Sequence, residues 1–158
     1  MNFDSLFSST NISASGLSAE RYRMEVVANN IANASSTRSA GGGPFRRQEV
    51  VFAAMLDQSL GNKSGTIRQA SHAVRIGPRL ESSGVQVVGT EDDSSALHRV
   101  HNPGHPDADA DGFVTLPNVD LPVEMVNLIT ASRAYEANLR ALQTFRQMAE
   151  QAIALMRH

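Results

Sequence analysis

Apolar residues recur at heptad spacing through residues 123–158, a stretch that contains neither Gly nor Pro. The stripe comprises Leu128, Ala131, Tyr135, Asn138, Leu142, Phe145, Ala149, Ala152 and Met156, and it is widened on one side by Met125, Leu139 and Ile153. This spacing predicts one long helix with an apolar seam broader than that of a two-stranded coiled coil. At ~1.5 Å per residue the helix is roughly 50 Å long, so a small domain cannot cover it and it needs partner surfaces.

A weaker heptad pattern lies near the N-terminus and predicts a helix over residues 12–34. Its apolar positions are Leu17, Met24, Val27 and Ile31. Asparagines and serines are frequent in this stretch and are poor helix formers, so the helix is marginal alone and depends on packing. The C-terminal helix has a better start, because Asp120 is a suitable N-cap and Pro122 is tolerated in the first turn.

The middle of the chain differs in composition, since all six prolines and ten of the eleven glycines lie within residues 41–122. Strands are predicted at residues 45–56 and 85–88, and residues 112–116 read as a short strand or an extended turn. Residues 57–83 are polar and interrupted by Gly, which predicts a mobile loop.

These elements predict an α+β fold, in which long N- and C-terminal helices form a coiled-coil-like stem and a small β-rich domain is inserted between them. We expect the boundaries to divide the chain into residues 1–36, 37–118 and 119–158. A plain two-helix hairpin with the middle of the chain packed on top is the alternative, although neither apolar stripe would find enough partner surface in it.

Composition narrows the function classes. The chain has 158 residues, a net charge of −2 and scattered Lys and Arg, which argues against binding to nucleic acid or to an anionic membrane. It has no cysteine, so disulfides and thiol catalysis are excluded, and its start lacks the basic residues of a secretory signal peptide. No phosphate-binding loop, nucleophile elbow or zinc-protease motif occurs, so we do not expect an enzyme or a bound cofactor.

Two clusters have residue types that bind metal ions. Residues 107–112 alternate Asp and Ala before a Gly, as in the first half of a calcium loop, but Asn118 stands where the closing Glu belongs. His98, His101 and His105 are the second cluster, in a stretch that prolines keep extended. We interpret the first as a solvated acidic turn and the second as hydrogen-bonded turn histidines, with calcium or another metal as the alternative.

Residues 15–21 and 27–34 resemble the N-terminal signature of bacterial flagellar axial proteins, the rod, hook and hook-associated proteins. Further motifs resemble the proximal rod proteins of the flagellar basal body in order and spacing; they lie at residues 42–47, 84–89, 102–106, 111–114, 117–119, 124–127 and 133–138. The resemblance covers nearly the whole chain, and its differences are concentrated in residues 57–83.

The resemblance implies a structural subunit that assembles helically with copies of itself and with other rod proteins into the periplasmic drive shaft, serving flagellum-dependent motility. Its implied partners also include the membrane-ring protein, a rod-capping protein and the flagellar type III export apparatus. Neither a nucleic acid nor a small-molecule substrate is implied. A coiled-coil adaptor protein, or a calcium-binding domain that uses residues 107–112, is the alternative function.

We expect the apolar seams to form the assembly interface, either within one subunit or between subunits. The candidate residues are Leu17, Met24, Val27, Asn30 and Ile31 on the first helix and Leu128, Tyr135, Asn138, Leu142 and Phe145 on the second. The asparagine-rich residues 29–33 could add hydrogen bonds across subunits at this otherwise apolar surface. The alternative is that the apolar members are the ordinary core of a hairpin.

Overall fold

Two long helices and four strands make up the computed structural model, which describes residues 3–39, 41–56 and 82–156. In chain order the elements are α1 (Phe3–Ala32), β1 (Gln48–Leu56), β2 (Ser82–Asp92), β3 (His98–His101), β4 (Phe113–Leu116) and α2 (Leu121–Met156). The predicted α+β fold with long terminal helices is confirmed. Most of the loop predicted at residues 57–83 lies outside the described residues, and the predicted domain boundaries stay a prediction.

The start of α2 follows the sequence. The Asp120 carboxylate accepts a hydrogen bond from the Val123 amide (3.4 Å), and its carbonyl accepts one from the Glu124 amide (2.9 Å). The Asp120 carboxylate therefore satisfies one amide group that the first turn leaves without a helical partner, its carbonyl accepts the first bond of the helix, and Pro122 occupies a position where no amide is needed.

Helix α1 begins nine residues before the predicted start at Ile12 and ends at Ala32. The serines that weaken its helical pattern are accommodated by bonds within the helix: the hydroxyl of Ser15 donates to the Ile12 carbonyl (2.7 Å) and that of Ser18 to the Ser15 carbonyl (2.8 Å). Packing against other elements overrides the poor propensity of these residues, as it commonly does in marginal helices.

Strands β1 and β2 form an antiparallel ribbon that lies along α1. Gln48 at one end bonds to Asn30, and Val85, which pairs with Ala54, bonds at the other end to Ser15. Six residues of strand and fifteen residues of helix both span ~20 Å, so the strand and the helix cover the same distance between these two contacts. Helix α1 thus contacts the ribbon as well as α2.

Gly84 makes the close approach of the ribbon to α1 possible. Its φ is 119°, a conformation that side chains disfavour, and a Cβ at this position would overlap the Ser15 hydroxyl. The Ser15 hydroxyl accepts a hydrogen bond from the Val85 amide (3.1 Å). A residue without a side chain is therefore required where the ribbon meets α1.

A second two-stranded sheet pairs β3 with β4. The turn predicted around His98 and His101 is wrong, because both residues lie on β3. Val100 is the only apolar residue of this exposed four-residue strand, so the sequence offers no alternation from which to predict it. The strand is held by the Phe113 ring, which contacts the His101 ring edge-on at 5.1 Å and the Arg99 guanidinium at 4.9 Å.

The apolar core is small. Among the described residues, six apolar side chains are buried: Ala19, Val26, Val27, Val114, Pro117 and Ala131. Fifteen large apolar side chains stay exposed in the same part of the chain, and nine of these belong to α2. Neither described helix is long and apolar enough to cross a membrane.

Candidate assembly interface and the junction cluster

The seam between α1 and α2 is antiparallel, and two contacts fix its register. Near one end, Gly16 of α1 lies against Asn138 of α2; near the other, Asn30 bonds to Glu124. Gly16 and Asn30 are fourteen residues apart, and so are Glu124 and Asn138. The register of the two helices is therefore the same at both contacts, which lie two heptads apart, as expected for seams with the same periodicity.

All ten residues predicted for the interface lie on covered faces. Asn30 and Val27 are buried, and the other eight are half-buried. Those eight are Leu17, Met24, Ile31, Leu128, Tyr135, Asn138, Leu142 and Phe145. Helices α1 and α2 pack against each other within one chain, and of the ten residues Asn30 and Asn138 have residue-level contacts across this packing. Their contribution to contacts between subunits stays a prediction.

Gly16 permits the close approach of the helices. A Cβ at Gly16 would lie 3.0 Å from Asn138 Nδ2, closer than side chains normally pack. From the sequence, Gly16 reads only as an interruption of the helical pattern. The signal that could have identified it is its spacing, since it lies one residue before Leu17 and fourteen before Asn30.

Four polar side chains form what we term the junction cluster: Asn30, Arg47, Asn118 and Glu124. Asn30 and Glu124 are completely buried, at 0% exposure each. The Asn30 amide donates to Glu124 Oε2 (3.0 Å) and to the Gln48 carbonyl (2.9 Å), and its oxygen accepts from the Gln48 amide (2.9 Å). One side chain thereby joins α1, β1 and α2.

Arg47 completes the cluster. Its Nε donates to Glu124 Oε1 (2.9 Å), and its amide donates to Asn118 Oδ1 (2.9 Å). A further guanidinium nitrogen contacts Glu49 and, at 3.4 Å, Asp93. Burial disfavours the charged form of Arg47, but the bonds to Glu49 and Glu124 outweigh it and raise the pKa of Arg47 above its ordinary value.

Glu124 is a buried charge with well-satisfied oxygens. Besides Asn30 and Arg47, it accepts a hydrogen bond from Asn127 Nδ2 (3.1 Å). A buried carboxylate is tolerated when it is paired and hydrogen-bonded, and losing its cationic partner is strongly destabilising. The cluster therefore ties the base of the two-helix stem to the start of the ribbon.

The structure corrects the expectation that Asn30 bonds across subunits, because its amide and carbonyl groups bond inside the chain. Asn33 likewise donates to Asn29, to its carbonyl at 2.9 Å and its side-chain oxygen at 2.8 Å. No local sequence pattern indicates the bonds of Asn30 to Gln48 and Glu124, since these residues lie 18 and 94 positions beyond Asn30.

The acidic turn uses its carboxylates for bonds within the chain. Asp107 accepts from Thr37 (2.7 Å) and pairs with Arg38 (2.5 Å), while Asp109 pairs with Arg99 (2.5 Å). The Thr37 hydrogen bond is the main cause that lowers the pKa of Asp107, and the Phe113 amide is the main cause for Asp109. Within the described residues, no group of three or more His, Asp or Glu could hold a metal ion.

Eight of the nine large apolar side chains that α2 leaves exposed lie toward its two ends, and Leu139 lies near its middle. Near the start they are Leu121, Val123, Met125, Val126 and Ile129, and near the end Met148, Ile153 and Leu155. Met125, Leu139 and Ile153, which widen the heptad stripe, are all exposed. The prediction that this helix carries more apolar surface than its own chain covers is confirmed.

Both helices match families of flagellar rod proteins. Residues 11–38 match the family described as "Flagella basal body rod protein", and residues 110–155 match "Flagellar basal body rod FlgEFG protein C-terminal". The fold and these matches define a structural protein of the flagellar basal-body rod, not an enzyme.

Whole-chain relatives narrow the family. The chain is 39% identical over 155 residues to the flagellar basal-body rod protein FlgC of Borreliella burgdorferi, which covers 96% of this chain and 97% of the relative. It is 37% identical to FlgC of Yersinia enterocolitica (96% and 98%) and 36% identical to FlgC of Bacillus subtilis (94% and 97%). The chain belongs to the FlgC family of flagellar basal-body rod proteins.

Proposed function

We propose that this rod subunit occupies the proximal rod and assembles helically, with copies of itself and with other rod proteins, into the drive shaft that transmits motor torque through the periplasm. The observation that carries the proposal is the apolar surface that α2 leaves exposed. Ile129 is 53% and Leu155 78% exposed, at opposite ends of one helix. Apolar patches of this kind on a subunit mark surfaces that neighbours cover.

The position of the two patches supports an open assembly. They are different surfaces about 26 residues apart, which is ~40 Å along the helix. A contact between unlike surfaces is heterologous, and repetition of a contact that does not close on itself generates a helical filament. Alanines on α2, such as Ala134 and Ala137, leave room for neighbouring helices to approach closely.

The proposal includes the partners that the family resemblance implies: the membrane-ring protein, a rod-capping protein and the flagellar type III export apparatus. The absence of cysteine supports it, since no disulfide can trap the chain before assembly in the oxidising periplasm. The nine predicted interface residues other than Asn30 shape the stem that these contacts use, and the exposed patches of α2 supply the contact surface.

A complementation experiment tests the proposal. A strain lacking its own copy of this chain is supplied with the intact chain, with Ile129→Glu, or with a chain ending before Leu139. We expect swimming and complete rods by cryo-tomography with the intact chain only. Normal rods and swimming in the deletion strain would overturn the proposal.

A matched control separates assembly from folding. Gln143→Glu places the same acidic side chain at an exposed polar position of α2, so we expect it to support swimming. The Ile129→Glu subunit must also accumulate and be exported at the level of the control. If Ile129→Glu builds normal rods, the exposed patch near the start of α2 is not an assembly surface.

A further inference from the structure

The apolar seam by itself does not specify how α1 and α2 are aligned. Leu17, Met24 and Ile31 repeat every seven residues on α1, and the stripe on α2 repeats with the same period. Moving one helix by a heptad, about 10 Å, therefore replaces each seam residue of α2 with another member of the same stripe. Apolar packing alone discriminates weakly between such alignments.

The lengths of the helices also permit such a movement. Helix α2 has 36 residues and α1 has 30. In the observed register Phe3 lies level with residue 151, so that α2 continues to Met156 beyond the start of α1. If α2 moved toward its own N-terminus, its last residues, which now extend beyond the start of α1, would pair with α1. The two helices would then remain paired over nearly the same length.

Polar residues break this degeneracy. In the observed register Asn30 meets Glu124 and Gly16 meets Asn138. A one-heptad shift in one direction would place Ala131 opposite Asn30 and Phe145 opposite Gly16. Glu124 would then leave Asn30 and Arg47 and lie past the last turn of α1, so the buried hydrogen bonds would be lost.

A shift in the other direction would bring Arg23 level with Glu124, so the carboxylate could still find a cation. It would, however, move Glu124 away from Arg47, which is anchored by its amide to Asn118 and by its side chain to Asp93. Asn30 would face the segment around Pro117. Arg47, which these bonds hold in place, therefore favours the observed register over the shifted one. A charge on α1 alone would not distinguish the two registers.

We propose that the junction cluster is a register lock, which restricts the antiparallel stem to one of several alignments that its apolar heptads allow. A buried polar residue that fixes helix register at some cost in stability is a well-attested device in coiled coils. This inference concerns a single chain and does not depend on rod assembly.

Spin labels on the full-length chain can measure the register. The chain has no cysteine, so Ala28→Cys on α1 and Gln147→Cys on α2, both at exposed positions, are the only thiols to label. Pulsed dipolar spectroscopy gives the distance between them. A second pair, Arg133→Cys and Gln147→Cys, lies entirely on α2 and reports whether that helix stays intact.

The test substitution is Glu124→Leu. It makes position 124 apolar like its heptad neighbours, while Asn30 keeps both bonds to Gln48 and Arg47 keeps Glu49 and Asp93. We expect one distance in the parent chain. In the variant we expect a second population displaced by about 10 Å, in about a tenth of the molecules or more, with the α2 pair unchanged.

Glu150→Leu is the matched control, because Glu150 pairs with Arg146 on the exposed side of the same helix; we expect it to keep the single parental distance. Glu124→Gln, which keeps the shape of the side chain, is the second test if Glu124→Leu fails to fold.

A folded Glu124→Leu chain with the parental distance alone would overturn the proposal. Unfolding of both variants without a displaced population would overturn it too, since the cluster would then supply stability and not register. A parent chain that shows no single defined distance would also overturn the register proposal. That result would not bear on the swimming assay, which tests rod assembly separately.

Discussion

The seam and the junction cluster hold the same two helices together by different means. The seam is apolar, periodic and long, and it comes from residues that repeat along each helix. The cluster is polar and local, and it brings together residues from α1, the segment just before β1, the segment before α2, and α2 itself. Apolar periodicity specifies which faces pack. A few directional bonds specify where along those faces they pack, because each buried polar group needs its own partner.

The strongest way to break the cluster is Arg47→Ala. It leaves Glu124 at 0% exposure without its cation, and an unpaired buried charge costs about 3 kcal/mol or more. We expect the free energy of unfolding in urea to fall by this amount. Arg146→Ala removes an exposed ion pair and should cost less than about 0.5 kcal/mol. Equal effects of the two substitutions would contradict the importance assigned to burial.

The corresponding change in the seam is Val27→Ala. Val27 is 6% exposed, and removing two buried methyl groups together with the resulting cavity costs about 2 kcal/mol. Leu155→Ala is the control, because Leu155 is 78% exposed in the free chain and should leave the urea midpoint unchanged. A loss of stability at Leu155 as large as that at Val27 would mean that the end of α2 is covered within the chain.

The two regions also differ in how far the sequence predicts them. Heptad spacing was enough for both helices, their amphipathic faces and the excess apolar surface of α2, because a helix repeats its environment every few residues. It was not enough for Arg47 and Glu124, whose bond joins residues 77 positions apart. No local pattern records such a pairing. Asn30 illustrates the consequence: its unusual place on an apolar face was visible, but its partners were not.

A smaller effect tests the contact between the ribbon and α1. Ser15→Ala removes the acceptor for the Val85 amide, a half-buried hydrogen bond, and should cost about 1 kcal/mol. We also expect faster hydrogen exchange of the Val85 amide, while amides near the junction cluster keep their protection. Ser18→Ala is the control, since among the described residues its hydroxyl bonds only to the carbonyl of Ser15 within the same helix. Loss of protection throughout the ribbon would show that Ser15 and the junction cluster act as one cooperative unit.

The smallest expected effect concerns pH and the acidic residues that bond outside the seam. Hydrogen bonds lower the folded-state pKa of Asp93, Asp107 and Asp109, with Ser95, Thr37 and Phe113 as the respective main donors. A lowered folded-state pKa means that the ionised form favours the folded chain. This contribution is present above the unfolded-state pKa of about 3.9, and it is lost as the pH falls through the lower folded-state pKa.

We therefore expect the urea midpoint to fall as the pH is lowered below about 4, and Asp109→Asn to reduce that dependence. Asp111→Asn is the control, because Asp111 is exposed and receives no ion pair among the described residues. If the two variants respond to pH alike, the bonds from Arg99 and Phe113 to Asp109 do not stabilise the turn. A pH response confined to Asp109 would place the acid sensitivity in the region between α1 and α2. The apolar seam contains few titrating groups, so it would keep its stability over the same pH range.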